Sequence, residues 1–292
     1  MSMIRLFVLG FKGFYLLKNL PANLLDTIDS VIIAKDPSIE NDYFDDICKE
    51  CIMRKINFFQ RKSEPSTEAS YSIFVGWRWL SNVDSKSKVI VFHDSLLPKY
   101  RGFNPLVTSL INGDTIIGAT CLLANAEYDK GNIISQQSKE ITYPVKIEDA
   151  ITIMADIYLN LLIDFINSIK NKSLQYYPQN EAHASYSLWR DEQDYFIDWN
   201  WDANKIERFV NAVGFPYLGA RTRINNEVVL IKNVKAEPED VIIANRDTGK
   251  VLFKSSEGIT IVCGKGLLTI NEIHTIEGAV YSFKDKFRIR FQ

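Results

Sequence analysis

The stretch KVIVFHDSLLPKYRGFNPLVTSLINGDTIIGATCLLANAEYDKG, Lys88 to Gly131, decides how this chain is read. An apolar run, Val89 to Phe92, stops at the polar cluster His93, Asp94 and Ser95. A basic loop follows, Pro98-Lys99-Tyr100-Arg101-Gly102, and then a helical pattern over Asn104–Asn112 closed by Gly113-Asp114. A second apolar run, Ile116 to Ala124, leads to Asp129-Lys130-Gly131. Buried strands that end in polar loops are how open α/β sheets present acid–base groups, with ligands outside the carboxyl ends of the strands. The reading predicts that His93 and Asp129 form such a pair.

Upstream, Ile4–Leu9 reads as a first strand, followed by Gly10-Phe11-Lys12-Gly13 and a helix carrying Tyr15, Leu16, Leu17 and Leu20. Strand, glycine turn and helix open an α/β unit. The Gly-x-x-Gly lacks the full dinucleotide fingerprint and the Lys-Ser/Thr of a P-loop, so a tight turn competes with a phosphate cradle. Ser30–Ala34, Lys55–Phe59 and Tyr71–Val75 read as further strands, and Asp42–Met53 as a helix. Trp77-Arg78-Trp79 closes the last of these strands; two indoles around an arginine could floor a pocket for a flat ligand, or pack as an ordinary loop. Downstream, Ile133–Ile141 is a strand and Ile147–Ile169 a long helix with apolar residues at spacings of three to four. The expected fold class is α/β, a mostly parallel sheet.

Lys172–Asn180 reads as a polar loop or linker. Beyond it come the aromatic Tyr195–Trp201, an amphipathic helix over Asp202–Ala212, and short β-like runs at Val228–Ile231, Val241–Ala244, Gly249–Phe253, Ile259–Cys263 and Leu267–Ile273. Short strands between Gly, Asn and Asp turns predict a small barrel. The expected domains are residues 1–180 and 195–292.

Of 292 residues, 46% are hydrophobic and 24% charged, which is ordinary globular material. The net charge of −2 argues against a general nucleic-acid binder. No apolar run approaches the ~18 residues of a membrane helix, and Met1–Leu9 lacks a signal peptide's charged start and cleavage site, so the chain is read as cytoplasmic. Cys48 and Cys51 make one Cys-x-x-Cys, far in sequence from His93, His183 and His274. Two cysteines on a helix explain that pair better than a metal site.

A histidine leaving a strand is available as a general base, because its ordinary pKa lies near neutrality. An aspartate facing it fixes its tautomer or stabilises its charged form. Ser95 raises a Ser-His nucleophile, but no Gly-x-Ser-x-Gly elbow is present. His93-Asp94-Ser95-Leu96-Leu97-Pro98-Lys99-Tyr100-Arg101-Gly102 resembles the His-x-Ser-Leu-Leu-Pro-x-x-Arg-Gly signature of the 10-formyltetrahydrofolate-dependent formyltransferases, and Asp129-Lys130-Gly131 matches their Asp-x-Gly. Ile197-Asp198-Trp199 and Ala212–Ala220 resemble the start of the family's C-terminal domain.

The resemblance implies a Rossmann-like catalytic domain followed by a small OB-like β-barrel, with N10-formyltetrahydrofolate as co-substrate. It makes His93 and Asp129 catalytic. It places the folate near Trp77, Arg78, Trp79, Leu96, Leu97 and Pro98, and the acceptor by Lys99, Tyr100, Arg101, Gly102 and Asn104. No metal is implied, since the folate carries the one-carbon unit. One position departs from the family's Asn-x-His: Val91 stands where the asparagine is expected, and its side chain donates no hydrogen bond. Asn104, a backbone N–H or a protonated His93 could serve instead.

The acceptor implied is the amine of a nucleotide-linked amino-sugar, such as a UDP- or dTDP-linked 4-amino-4,6-dideoxy sugar for surface polysaccharide. The alternatives are methionyl-tRNA formyltransferase, a catalytically impaired binding homologue and a formyltetrahydrofolate hydrolase. Residues 204–292 carry 14 basic and 10 acidic side chains, too small an excess to argue for a tRNA surface. A homodimer is left open.

Overall fold

A computed structural model describes residues 3–37, 39, 41–65, 68–79, 86–281 and 288–292. The chain divides into two compact units. The first is Met1–Leu106, Ile116–Ile141 and Asp149–Leu188; the second is Val107–Thr115, Thr142–Glu148 and Trp189–Gln292.

In the first unit the strands are β1 (Ile4–Val8), β2 (Ile28–Ile33), β3 (Phe58–Gln60), β4 (Tyr71–Val75), β5 (Lys88–His93), β6 (Arg101–Gly102), β7 (Ile116–Leu123), β8 (Ile133–Glu140) and β9 (Tyr186–Ser187). The helices of the chain up to this point are α1 (Gly10–Asn19), α2 (Phe44–Met53), α3 (Pro105–Asn112) and α4 (Ile147–Lys170). Seven strands form one sheet in the order β3-β2-β1-β4-β5-β7-β8. The pairings from β3 through β5 are parallel, and β5–β7 and β7–β8 are antiparallel. The central strands are apolar on both faces, as a covered parallel sheet demands: all five residues of β1 are buried. The order reverses between β1 and β4, the crevice where open sheets place ligands.

The glycine turn after β1 is the tight-turn alternative. A Cβ on Gly13 would stand 2.8 Å from the Cβ of Val8, so glycine there lets α1 lie close on β1. Two further readings are adjusted by short distances: the strand expected at Lys55–Phe59 begins at Phe58, and α2 begins at Phe44, whose N–H donates to the Asp42 carboxylate (3.0 Å). Lys172–Asn180 is the loop of the two alternatives, part of the first unit, where Tyr177 pairs with Ile133.

The second unit contains α5 (Ala203–Ala212), capped by the Asp202 side chain on the Lys205 N–H (2.8 Å). Its strands are β10 (Ala220–Ile224), β11 (Glu227–Glu237), β12 (Val251–Lys254), β13 (Ile259–Val262) and β14 (Leu267–Thr275), all antiparallel in the order β10-β11-β14-β13-β12. Val241–Ala244, expected as a strand, lies outside every ladder. Ile242 is fully exposed, and the segment is held instead by Arg246 on Glu239 and by Glu239 on the Gly266 N–H. β10 was hidden in ARTRI, whose inward residues are Ala220, Thr222 and Ile224. Phe291 bridges Ile224 of β10, and Arg290 bridges Lys250 just before β12, so one segment lies against both outer strands.

Candidate active site

β5 carries His93 to the carboxyl end of the parallel sheet, where the ring is 7% exposed. Its Nε2 lies 2.8 Å from the carbonyl oxygen of Tyr100. A carbonyl only accepts, so Nε2 holds the ring proton and the neutral ring leaves its lone pair on Nδ1. Nδ1 faces Asp129, 3.5 Å from Oδ1. The other oxygen of Asp129 accepts the Gly102 N–H (2.8 Å). A proton reaching His93 therefore goes to Nδ1, on the side of a carboxylate able to stabilise it.

Asp129 does not reach this point as the sequence reading expected. β7 runs antiparallel to β5, with Leu123 opposite Ile90, so it ends beside the start of β5. Ala124 donates its N–H to the Val89 carbonyl (2.9 Å). The loop after β7 then doubles back along β5 to bring Asp129 to His93. Gly131 makes the return feasible: a Cβ there would stand 1.6 Å from the Leu123 carbonyl oxygen. Gly102 is constrained in the same way, with a Cβ falling 2.6 Å from the Ser187 oxygen and φ at +94°. Tyr100, Asn104 and Asp129 also take left-handed backbone, at φ 59°, 49° and 56°.

Arg101 corrects an expectation. Placed on the acceptor side by its motif, it is 0% exposed and fully engaged. Its Nη1 and Nη2 donate to the two oxygens of Glu181 (2.8 and 2.7 Å), and Nε and Nη2 to Gln179 Oε1 (3.1 and 2.7 Å). The Glu181 bond raises the arginine's pKa against the cost of burial, and the Arg101 bond lowers that of Glu181. Gln179 passes the constraint on, its amide donating to the carbonyls of Asp129 (2.6 Å) and Gly131 (2.8 Å). Arg101 is a clamp between loops.

The rest of the loop is similarly fixed. Ser95, considered as a nucleophile, donates its hydroxyl to the Lys99 carbonyl (2.6 Å). Leu97 is 3% exposed, with its N–H on Thr120 Oγ1 (3.0 Å) and its carbonyl on Gln136 (2.9 Å), so it belongs to the core; Leu96 and Pro98 keep part of their surface. Lys99 is exposed, with its ammonium 4.6 Å from the centre of the Tyr100 ring, and Tyr100 itself is buried. Asn104 is half-buried, just ahead of α3. Val91 sits two residues before His93, on the same face of β5, opposite Leu122.

The Trp77–Trp79 turn follows β4. Trp77 packs edge-on to Phe7 and Trp79, but the guanidinium over Trp79 is that of Arg61, 4.7 Å from the ring centre. Arg78 bonds Asp36, at 2.6 Å. On α2, burial pushes the Cys48 thiol up and the Cys51 thiol up to about 12. Among the described residues no group of three or more His, Cys, Asp or Glu side chains is placed to hold a metal ion, and no helix is long and apolar enough to cross a membrane.

A largely parallel sheet with a His–Asp pair under a doubled-back loop, followed by an antiparallel sheet unit, defines the class. Two family models match the sequence: Formyl transferase over residues 68–163, and Formyl transferase, C-terminal domain, over residues 190–290. The chain belongs to the formyl transferase family. It is 30% identical over 191 residues to the methionyl-tRNA formyltransferase of Clostridium novyi (strain NT), a match covering 64% of this chain and 60% of that protein. Among solved structures it is similar to WlaRD, a sugar 3N-formyl transferase crystallised in the presence of dTDP and 5-N-formyl-THF, with TM-score 0.65, 20% identity, and 93% and 97% of the two chains covered. It is also similar to the N-formyltransferase of Helicobacter canadensis in complex with folinic acid and dTDP-3-aminofucose, with TM-score 0.61, 19% identity, and coverage of 96% and 100%.

Lys12, Thr120, Gln136, Tyr158, Gln179 and Glu181 were not singled out in the sequence. Gln179 and Glu181 fall in or beside that polar loop, and a polar pair beside a Pro-bounded aromatic run was the available signal.

Proposed function

We propose that this protein transfers the formyl group of N10-formyltetrahydrofolate to the amine of a nucleotide-linked amino-sugar. The observation that carries the chemistry is the orientation of His93, with Nε2 on the Tyr100 carbonyl and Nδ1 toward Asp129. The amine nitrogen bonds to the formyl carbon, and the bond from that carbon to folate N10 breaks. The amine's proton passes to His93 Nδ1, Asp129 stabilises the imidazolium, and the departing N10 takes a proton back. Leu96, Pro98 and the Trp77–Trp79 turn offer apolar and aromatic surface for a flat folate, while Lys99 and Asn104 border the acceptor. With Val91 contributing no donor, the developing oxyanion relies on protonated His93, backbone N–H groups or Asn104.

A sugar acceptor is supported by the extent of the fold match, which with WlaRD and the Helicobacter canadensis enzyme runs through nearly all of both chains. A methionyl-tRNA acceptor is the second reading, favoured by the sequence relatives, although the chain spans only about 60% of their length. An OB-like barrel for the second unit is supported by the segment that pairs with both β10 and the start of β12. The test is incubation with formyltetrahydrofolate and a panel of UDP- and dTDP-linked amino-sugars, with Met-tRNA in parallel, read by the mass of an added formyl group. Product with Met-tRNA alone overturns the sugar acceptor; no product with either overturns the activity.

A further inference from the structure

One residue beyond His93 lies a part-buried ionic cluster that formyl transfer, as described above, does not use. Lys12, in the first turn of α1, places its ammonium on Oδ2 of Asp94. Tyr158, in α4, directs its hydroxyl to Oδ1 of Asp94 (2.5 Å) and lies 2.9 Å from the Phe92 carbonyl. The Lys12 and Asp94 side chains are 14% and 20% exposed, and the ammonium also lies over the Tyr158 ring. Burial works against the Asp94 carboxylate, but the charge of Lys12 and the two hydrogen bonds outweigh it and hold the carboxyl below its usual range.

A buried cation–carboxylate pair is weak grounds for stability, since apolar residues of the same volume often serve as well. What the cluster does supply is geometry. Phe92 and Asp94 flank His93, and the single hydrogen of the Tyr158 phenol lies between their oxygens, nearer the Asp94 carboxylate than the Phe92 carbonyl. The strand end at His93 is thus anchored from the helical face through the Asp94 side chain and the Phe92 carbonyl, while the ring is fixed from the loop by the Tyr100 carbonyl. Val91, the strand neighbour on the His93 face, has no polar atom in its side chain with which to help.

We propose that Asp94, held by Lys12 and Tyr158, is a positioning residue for His93 that keeps Nδ1 directed at Asp129. Its value for turnover rests on the formyl-transfer reading; its effect on the ring does not. Tyr158→Phe removes the hydroxyl and keeps the ring against Phe92. The double variant Lys12→Met/Asp94→Leu removes both charges together, so that a folding defect in one variant does not end the test. Tyr15→Phe is the control, because the Tyr15 hydroxyl joins α1 to Asp156 of α4 without touching β5.

The first readout needs no substrate. The chain has three histidines, so their ring signals are separable by NMR, and neutral His93 should carry its proton on Nε2. Tyr158→Phe and the double variant are expected to mix the two tautomers; Tyr15→Phe is expected to match the parent. The second readout is turnover. The two cluster variants should lower kcat roughly tenfold to a hundredfold, the scale of a misplaced catalytic group, with KM for formyltetrahydrofolate unchanged. An unaltered His93 signature in both cluster variants, or an equal change in Tyr15→Phe, overturns the proposal. If the parent protein transfers formyl to no acceptor, the function fails, and the NMR readout still decides the positioning role.

Discussion

Arg101 and Asp129 are joined through one carboxamide: Gln179 accepts from the Arg101 guanidinium and donates to the Asp129 carbonyl. The Asp129 loop is therefore held by a buried cation whose chain neighbours, Tyr100 and Gly102, give their backbone carbonyl and N–H to His93 and Asp129. Arg101→Met should loosen the loop rather than remove a substrate contact. We expect a lower melting temperature and a fall in kcat of roughly tenfold or more. If Arg101 instead bound the acceptor, KM for the acceptor alone would rise and the melting temperature would stay where it is.

His93→Ala removes the group on which the amine's proton is placed, and should cost roughly 10²–10⁴ in kcat. Asp129→Asn should cost less. It can still accept the Gly102 N–H, but it no longer stabilises a proton on Nδ1. Single-turnover formyl transfer measures both; equal losses would mean that Asp129 does more than assist His93.

Asp94 predicts an acid-sensitive part of the stability. Its pKa in the folded protein lies below that of the unfolded chain. Its contribution is therefore complete above the ordinary aspartate value of about 3.9 and fades as pH falls through the folded-state value. The urea midpoint of the parent should fall relative to that of Lys12→Met/Asp94→Leu as pH drops from 7 toward 3. Glu181 and Asp247, also lowered by their basic partners, remain in both proteins and cancel from the comparison.

The cysteines should prove chemically quiet. Burial pushes the thiols of Cys51 and Cys263 to about 12 and that of Cys121 higher still. Iodoacetamide at pH 8 is expected to leave these three unmodified in the native protein and to label them after denaturation. Cys48→Ser/Cys51→Ser should retain full transfer activity; loss of activity would restore a role for the Cys-x-x-Cys.

Local pattern accounts for what the sequence disclosed. The apolar runs of β1, β4, β5 and β7 and the spacing of α4 are written in consecutive residues, and so are His93, the loop to Gly102, and the Asp129 turn. What stayed hidden depends on partners far along the chain. Nothing near Arg101 announces Gln179 and Glu181, and nothing near Asp94 announces Lys12 and Tyr158. Val241–Ala244 has the composition of a strand but no ladder to join, whereas β10 finds a ladder with only Ala, Thr and Ile on its inner side. The direction of β7 was equally out of reach, because the apolar runs of parallel and antiparallel strands look alike.

The left-handed backbone at Tyr100, Asn104 and Asp129 has a consequence for engineering. Each of these side chains holds a conformation that disfavours an L-residue by roughly 1–2 kcal/mol, and each lies in the loops around His93. Glycine would relieve that strain at half-buried Asn104, whereas at Tyr100 and Asp129 it would also remove a buried ring and the acceptor of the Gly102 N–H. A screen for heat resistance that ignored turnover would therefore be drawn to Asn104, a residue proposed to border the acceptor, and its survivors there would be expected to be poorer catalysts.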